Sequence, residues 1–189
     1  MRLNKLVYEQ ALRAYRGSDI LADLPGRLLD LWYEDYIHTY PKSELVLVHL
    51  EADGSSFTYL FDVTRQRAIG SVGLPSFVSH KRDASRMAGH PLANSKLYDR
   101  GHLLAHSLGG GADINLVPQL SKVNRVNFQK IERIARKLAT GNVRCVYFVR
   151  PIYPIESAPA HEASQLPSRI EQGLIGKNGN LTYQLHANV

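Results

Sequence analysis

Hydrophobic positions at the start of the chain recur with the spacing of amphipathic helices. A first helix is predicted from Leu3 to Tyr15, and a second helix runs to Tyr40, where Pro41 ends it. The second helix carries an apolar and aromatic stripe: Leu29, Trp32, Tyr33, Tyr36, Ile37 and Tyr40. Such a stripe is typical of a helix that packs on a hydrophobic core, so we expect residues 1–41 to form a helical extension that packs against the domain that follows.

From residue 45 the pattern changes to that of strands. The segment LVLVHLEADGSSFTYLFDV predicts two strands joined at Asp53-Gly54, a pair that tolerates the positive φ of a tight hairpin turn. The segments NVRCVYFVRPIYP and LTYQLHA predict two more strands, whereas the polar segment HKRDASRMAGHPLANSKLYD predicts an irregular loop. We therefore expect a second unit, a β-rich domain, over residues 45–189.

The segment YDRGHLLAHSLGG follows the irregular loop and combines strand-like residues with candidate chemistry. Side chains two residues apart on a strand share a face, so Arg100, His102 and His106 are expected to point the same way. A guanidinium next to an imidazole disfavours a second positive charge and so favours a neutral ring that can accept a proton. The pattern predicts a general base close to an anion, with His106 as the rival to His102.

A helix is predicted after GGGADINLVPQ, with Ser121 as its N-cap and Thr140-Gly141-Asn142 at its end. At helical spacing its apolar side chains form one face: Val123, Phe128, Ile131, Ile134, Ala135 and Leu138. Asn124 lies in the middle of that face, and Glu132 lies on its polar edge. A buried amide without a partner costs about 1–3 kcal/mol, so Asn124 should meet a hydrogen-bond network or a bound ion.

The net charge of +6 is unevenly distributed along the chain. Residues 121–150 carry eight Lys and Arg against Glu132 alone, a local net charge of +7. A basic block that follows a candidate base would steer and neutralise a polyphosphate substrate, although a solvated helix face would have the same composition.

Several other activities and locations are disfavoured by the sequence. His102 and His106 have the spacing of a zinc-protease helix, but Leu103 stands where that motif needs Glu, and Cys145 is the only cysteine, so no internal disulfide can form. Neither a signal peptide nor a membrane span is indicated. We expect a protein that is cytoplasmic as synthesised, with export lacking a cleaved signal as the alternative.

The combination of DRGH, NLVPQ, Asn124-Arg125 and Glu132 resembles the DNA/RNA non-specific endonuclease family of the ββα-metal (His-Me finger) superfamily. That family is similar to secreted streptococcal DNases and bacterial nuclease toxin domains. The resemblance implies an α+β fold. It also implies a central antiparallel sheet and a ββα-metal finger, in which a strand carries the base and, after a crossover, a helix carries the metal ligand.

The resemblance also implies roles for individual residues. His102 would be the general base, Asn124 the direct ligand of a single Mg²⁺, and Glu132 a ligand of the same ion through water, with Mn²⁺ as a possible substitute. Arg100 and Arg136 would bind the scissile phosphate and stabilise transition-state charge.

Further residues are assigned to binding or support. Arg125 is expected to contact substrate, Asp99 to fix the strand or orient Arg100, and Asn115 and Gln119 to shape the crossover. An additional upstream arginine in the family binds phosphate, and four residues here compete for that place: Arg65, Arg67, Arg82 and Arg86.

The implied activity is hydrolysis of DNA and RNA to 5′-phosphate ends with little sequence preference, in a toxin or effector setting. The expected partners are nucleic acid and either an immunity (inhibitor) protein or a secretion adaptor. The alternative is a catalytically inactive nucleic-acid-binding or interaction protein that keeps the fold.

Overall fold

A computed structural model describes residues 4–79, 95–111, 113–155 and 165–189. The helices and strands in these ranges are, in chain order, α1 (Lys5–Ala14), α2 (Ile20–Thr39), β1 (Leu45–Ala52), β2 (Ser55–Asp62), β3 (Arg67–Leu74), β4 (Tyr98–His102), β5 (Leu116–Leu120), α3 (Gln129–Thr140), β6 (Cys145–Ile152), β7 (Arg169–Gly176) and β8 (Leu181–Ala187). Most of the predicted irregular loop, residues 80–94, lies outside the described residues.

Six strands form one antiparallel sheet in the order β1-β2-β3-β6-β7-β8. The chain leaves this sheet after β3, forms the separate antiparallel hairpin β4-β5 and then α3, and returns through β6. The predicted turn between the first two strands is confirmed, because Asp53 and Gly54 both have positive φ, 52° and 78°. The α+β class expected from the sequence is confirmed by this arrangement.

The two N-terminal helices are observed as predicted and cover one face of the sheet. Asn4 caps α1 and Asp19 caps α2 through side-chain oxygens that accept backbone N–H groups. Trp32 and Tyr36 of α2 are buried with sheet residues such as Phe148 and form a hydrophobic core with them. Tyr33, which was expected in the same stripe, is 48% exposed. The division into an extension over residues 1–41 and a domain over 45–189 stays a prediction. No helix in the described part of the chain is long and apolar enough to cross a membrane.

The opposite face of the sheet carries the β4-β5 hairpin and α3. A second core forms there from sheet residues such as Phe57 and Tyr147 together with Leu103 and Leu104 after β4 and Phe128 before α3. The sheet is therefore a middle layer between the two N-terminal helices and the hairpin-helix unit. Because of this layer order, the strand that carries His102 and the helix α3 pack against the same face of one sheet.

We expect Trp32→Ala to lower the free energy of unfolding by about 3–5 kcal/mol. The indole is fully buried, donates to the Tyr8 hydroxyl at 3.1 Å and lies so close to Gly70 that a Cβ there would come within 2.5 Å of the ring. Chemical denaturation should show a single transition, because α2 shares its core with the sheet. Tyr33→Ala, next to it on α2 but 48% exposed, is the matched control and should cost about 1 kcal/mol or less. Equal losses for the two variants would contradict the packing described.

Candidate active site

A cavity of about 360 Å³ lies between the end of β4 and the helical segment that leads into α3. The cavity is lined by His102, Ala105, His106, Ser107, Asn124 and Glu132. Three residues singled out in the sequence, His102, Asn124 and Glu132, therefore meet at one place although they belong to different elements. The arrangement places an imidazole, an amide and a carboxylate around a space large enough for several waters.

The expectation that His106 shares a strand face with His102 is wrong. Strand β4 ends at His102, and His106 begins a 3₁₀ turn that runs to Leu108. The strand ends because buried Asn115 takes over the backbone pairing: its carbonyl accepts from Leu103 N at 2.8 Å, and its side chain binds both N and O of Leu104. His106 still lines the cavity, but it approaches from the turn rather than from the strand.

The helix carrying Asn124 is not regular, which the sequence did not predict. Residues Val123–Asn127 form a π turn, in which the N–H of Phe128 donates to the carbonyl of Val123 at 3.0 Å. In a regular helix Asn124 and Glu132 would be about 80° apart around the axis. The extra residue taken up by one π turn reduces this to about 20°. The π turn therefore brings the amide and the carboxylate to the same side of the helix.

Three details of the predicted helix are wrong. Ser121 does not cap it, because this residue is already helical and its hydroxyl donates to Asp99 Oδ1 at 3.0 Å. Ile134 is 44% exposed, because the buried stripe is narrower than expected and is formed mainly by Phe128, Ile131 and Ala135. Asn124 itself is half-buried and faces the cavity rather than the centre of the core.

Asp99 holds the start of this helix and the orientation of Asn124. Its Oδ2 accepts from Asn124 Nδ2 at 3.0 Å, and its two oxygens accept from Arg125 Nε and Nη2 at 2.8 and 2.7 Å. These bonds, above all those from Arg125, lower the pKa of Asp99. Because the amide nitrogen of Asn124 is bound to Asp99, the carbonyl oxygen Oδ1 is the amide atom that can serve a ligand in the cavity.

The surroundings of Glu132 fit a cation. Burial raises the pKa of its carboxyl to about 7, and the charge of Arg136 one turn later on the helix offsets only part of this effect. Among the described residues no three His, Cys, Asp or Glu converge as a metal cluster. The oxygen donors at the cavity include an amide oxygen and one carboxylate, beside a space large enough for several waters. Hard oxygen donors with room for retained waters suit Mg²⁺ or Mn²⁺.

We expect Glu132→Gln to stabilise the metal-free protein at neutral pH. The folded carboxyl has a pKa of about 7 and its ordinary pKa is 4.5, so the native state binds the extra proton and wild-type stability falls as the pH rises between these values. Above pH 7 the variant should be more stable by about 3 kcal/mol, and near pH 4 the difference should vanish. Urea denaturation in EDTA across this pH range measures the effect, and a gap that is independent of pH would contradict it.

The predicted phosphate-binding arginines have different positions. Arg100 is half-buried on β4, two residues before His102 and on the same face of the strand, whereas Arg136 is exposed beside Glu132. Arg125 is 70% exposed in its side chain and forms the bidentate ion pair with Asp99. Among the described residues, neither Arg100 nor Arg136 lines the cavity itself.

Two of the four upstream candidates for phosphate binding lie away from the cavity. Arg67 is buried on the α2 side of the sheet, stacked on Tyr40 and Tyr153 at 4.6 and 4.1 Å from the ring centroids. Arg65 stacks on Tyr40 and pairs with Asp62 at 3.3 Å. The other two candidates, Arg82 and Arg86, lie outside the described residues.

The support residues hold the backbone around His102. Asn115 donates through Nδ2 to Gly111 O at 2.7 Å in addition to its bonds with Leu104, and Gln119 Nε2 donates to His102 O at 3.3 Å. A Cβ at position 101 would come within 2.2 Å of the Gln119 side chain, which explains the glycine of the YDRGH strand. Sequence reasoning missed Gln172, a buried polar residue in β7 that reaches the π turn. Its signal was a Glu-Gln pair inside an otherwise apolar strand.

The chain is similar to known proteins both at the level of family and at the level of fold. A family model described as DNA/RNA non-specific endonuclease matches residues 71–170, which include β4, β5, the π turn and α3. Among solved structures, the chain is similar to the one titled "Structure of Sda1 nuclease with bound zinc ion", with 15% sequence identity and a TM-score of 0.50, over 78% of this chain and 84% of that chain. This second likeness concerns the fold. No curated protein matches the chain significantly by sequence.

Proposed function

Because the chain belongs to the DNA/RNA non-specific endonuclease family, we propose that it is a metal-dependent enzyme that hydrolyses DNA and RNA to 5′-phosphate ends. The observation that carries the proposal is the single cavity lined by His102, Asn124 and Glu132. A base, an oxygen ligand and a buried acid at one cavity are the groups that metal-assisted phosphodiester hydrolysis requires.

In the proposed mechanism His102 accepts the proton of the attacking water. The hydrogen bond from Gln119 Nε2 to the backbone carbonyl of His102 and the tight packing at Gly101 fix the backbone here. They thereby hold the imidazole at the cavity wall. Asn124 would hold Mg²⁺ through Oδ1, with its rotamer fixed by Asp99, and Glu132 would hold a water of the ion. The ion, when bound, supplies stabilisation of the charge that develops on the leaving oxygen.

Arg100 and Arg136 are proposed to bind the phosphate on either side of the cavity. Arg100 extends from the strand that carries His102, and Arg136 extends from the helix that carries Glu132. Guanidinium groups at these two positions would orient the scissile phosphate and stabilise its added charge in the transition state. Arg125 is proposed to act mainly through Asp99, because its guanidinium is already engaged there.

Exposed basic residues continue from the cavity around α3. Measured from Glu132 around the helix axis, Arg136, Arg133, Lys137 and Lys130 lie at about 40°, 100°, 140° and 160° in one direction, while the buried stripe lies in the other. All four are exposed. We propose that this basic strip binds the sugar-phosphate backbone of the substrate, which would give affinity without sequence selectivity.

Neutralising two lysines of the basic strip should weaken substrate binding without slowing the chemical step. For Lys130→Gln/Lys137→Gln we expect KM for plasmid DNA to rise several-fold, the salt dependence of binding to fall by about 1–2 in log–log slope, and kcat to change little. Lys5→Gln/Arg13→Gln on α1, across the sheet, is the matched control and should behave like wild type. Equal effects from both double variants would show that the basic strip does not bind the substrate.

The direct test of the proposed function is a divalent-metal titration of purified protein on supercoiled plasmid and on total RNA. We expect cleavage of both with Mg²⁺ or Mn²⁺, none in excess EDTA, and product ends that accept ligation without prior phosphorylation, as 5′-phosphates do. Binding of both substrates without cleavage at any metal concentration would support the inactive binding protein instead.

The proposed biological setting is a toxin or effector. An enzyme that cuts DNA and RNA with little selectivity would damage the nucleic acids of its producer, so an inhibitor protein or early export should accompany it. Expression of wild type and His102→Ala at matched levels in a neutral host tests this. Harmless accumulation of the wild-type protein would contradict the need for protection.

A further inference from the structure

Strand β7 carries two adjacent polar side chains that are fully buried, Glu171 and Gln172. Glu171 lies on the α1-α2 side of the sheet, and its partners there account for its burial. It accepts hydrogen bonds from Tyr8 and Tyr183 and pairs with Arg150. Gln172 points to the opposite face, beneath the helix that carries Asn124. The mechanism proposed above does not use Gln172, although a buried amide must be fully bonded to be tolerated.

Every polar atom of the Gln172 side chain has a partner. Its Nε2 donates to the backbone carbonyl of Phe128 at 3.0 Å and to the Tyr147 hydroxyl at 2.7 Å, and its Oε1 lies 3.1 Å from His186 Nε2. Burial lowers the pKa of His186 to about 4, so the ring is neutral at pH 7 and can donate from Nε2. The ring also packs on Phe128 with a centroid distance of 4.9 Å.

The carbonyl that Gln172 binds lies at the junction where the π turn changes to α3. Phe128 donates its N–H back to Val123 across the π turn, and its carbonyl also accepts from Glu132 N at 3.3 Å. Phe128 lies midway along the chain between Asn124 and Glu132. Its position therefore sets the angle between the two residues around the helix axis, which would open from about 20° to about 80° if the segment returned to regular α pairing.

We propose that Gln172 is a positioning residue for the metal centre, because it holds the Phe128 carbonyl and so maintains the π turn that puts Asn124 and Glu132 on the same side of the helix. The inference rests on the proposed function, since it assigns these two residues to the metal. Groups behind metal ligands commonly change metal affinity by about 10–100-fold when removed.

The test measures Mn²⁺ affinity by calorimetry on folded protein. No nucleic acid is present, so no cleavage takes place during the measurement. Gln172→Leu removes both donors and the acceptor, whereas Gln172→Glu keeps the shape and an acceptor but loses the amide N–H groups. Phe148→Leu, a core residue on the α2 side of the sheet, is the control for general loss of stability. We expect both Gln172 variants to bind Mn²⁺ about 10–100-fold more weakly than wild type, and Phe148→Leu to bind like wild type.

Each other outcome is decisive. Wild-type affinity in either folded Gln172 variant would overturn the positioning role, as would an equal loss of affinity in Phe148→Leu. If both Gln172 variants fail to fold, Gln172 supports the fold rather than the site, and the proposal is likewise overturned. Failure of the proposed function itself looks different, because wild type would then bind no Mn²⁺ and cleave no nucleic acid.

Discussion

His102→Ala should lower the single-turnover rate of plasmid cleavage by about 10²–10⁴-fold at saturating Mg²⁺, the range for loss of a general base. The imidazole lies at the wall of the cavity that also contains Asn124 and Glu132, so it is the β4 side chain placed to accept a proton from water there. Substrate affinity should be unchanged, because phosphate binding is assigned to the arginines.

His106→Ala is the matched control for this experiment. The side chain lines the same cavity but extends from the 3₁₀ turn after β4, and no step of the mechanism uses it. We expect a much smaller loss of rate than for His102→Ala, with unfolding free energies that agree between the two variants. A larger loss of rate for His106→Ala than for His102→Ala would identify His106 as the general base.

Asn124→Ala should abolish metal-dependent cleavage by removing the direct ligand of the ion. The amide is held by its hydrogen bond to Asp99 Oδ2, which leaves Oδ1 for the cavity, and an alanine side chain offers no oxygen there. We expect Mn²⁺ affinity to fall by about 100-fold or more, in line with loss of one of few protein ligands. Calorimetry with Mn²⁺ and cleavage across a metal titration measure the two effects.

Asn124→Asp provides the contrast. It restores an oxygen ligand with a full charge but places a second carboxylate beside Asp99, so Mn²⁺ binding should return while the helix start is weakened by like-charge repulsion. An Asn124→Ala variant that keeps the Mg²⁺ dependence of wild type would remove this residue from the metal centre.

The sequence was informative where local chemistry decides the structure. Asp53-Gly54 required a tight hairpin, and the aromatic stripe of α2 required a core to cover it. The positions of His102, Asn124 and Glu132 followed from strand and helix periodicity together with the family resemblance. These three residues meet at one cavity because the β4-β5 hairpin packs beside the helix. The order of the motifs along the chain already indicated this arrangement.

Other features depend on contacts between distant parts of the chain. The π turn is held by Gln172 from β7, so the local sequence of the helix could not reveal it. Asn115 ends β4 through hydrogen bonds from its side chain to the backbone of Leu104, so His106 lies beyond the end of the strand. Arg67, a candidate phosphate ligand by composition, is instead enclosed by aromatic rings that come from α2 and the end of β6.

The most direct test of the one-metal centre is an anomalous difference map from crystals of the protein soaked in Mn²⁺. We expect one strong peak within about 2.2 Å of Asn124 Oδ1, in the cavity shared with His102 and Glu132. A peak coordinated by His102 and His106 instead, or no peak beside Asn124, would contradict it.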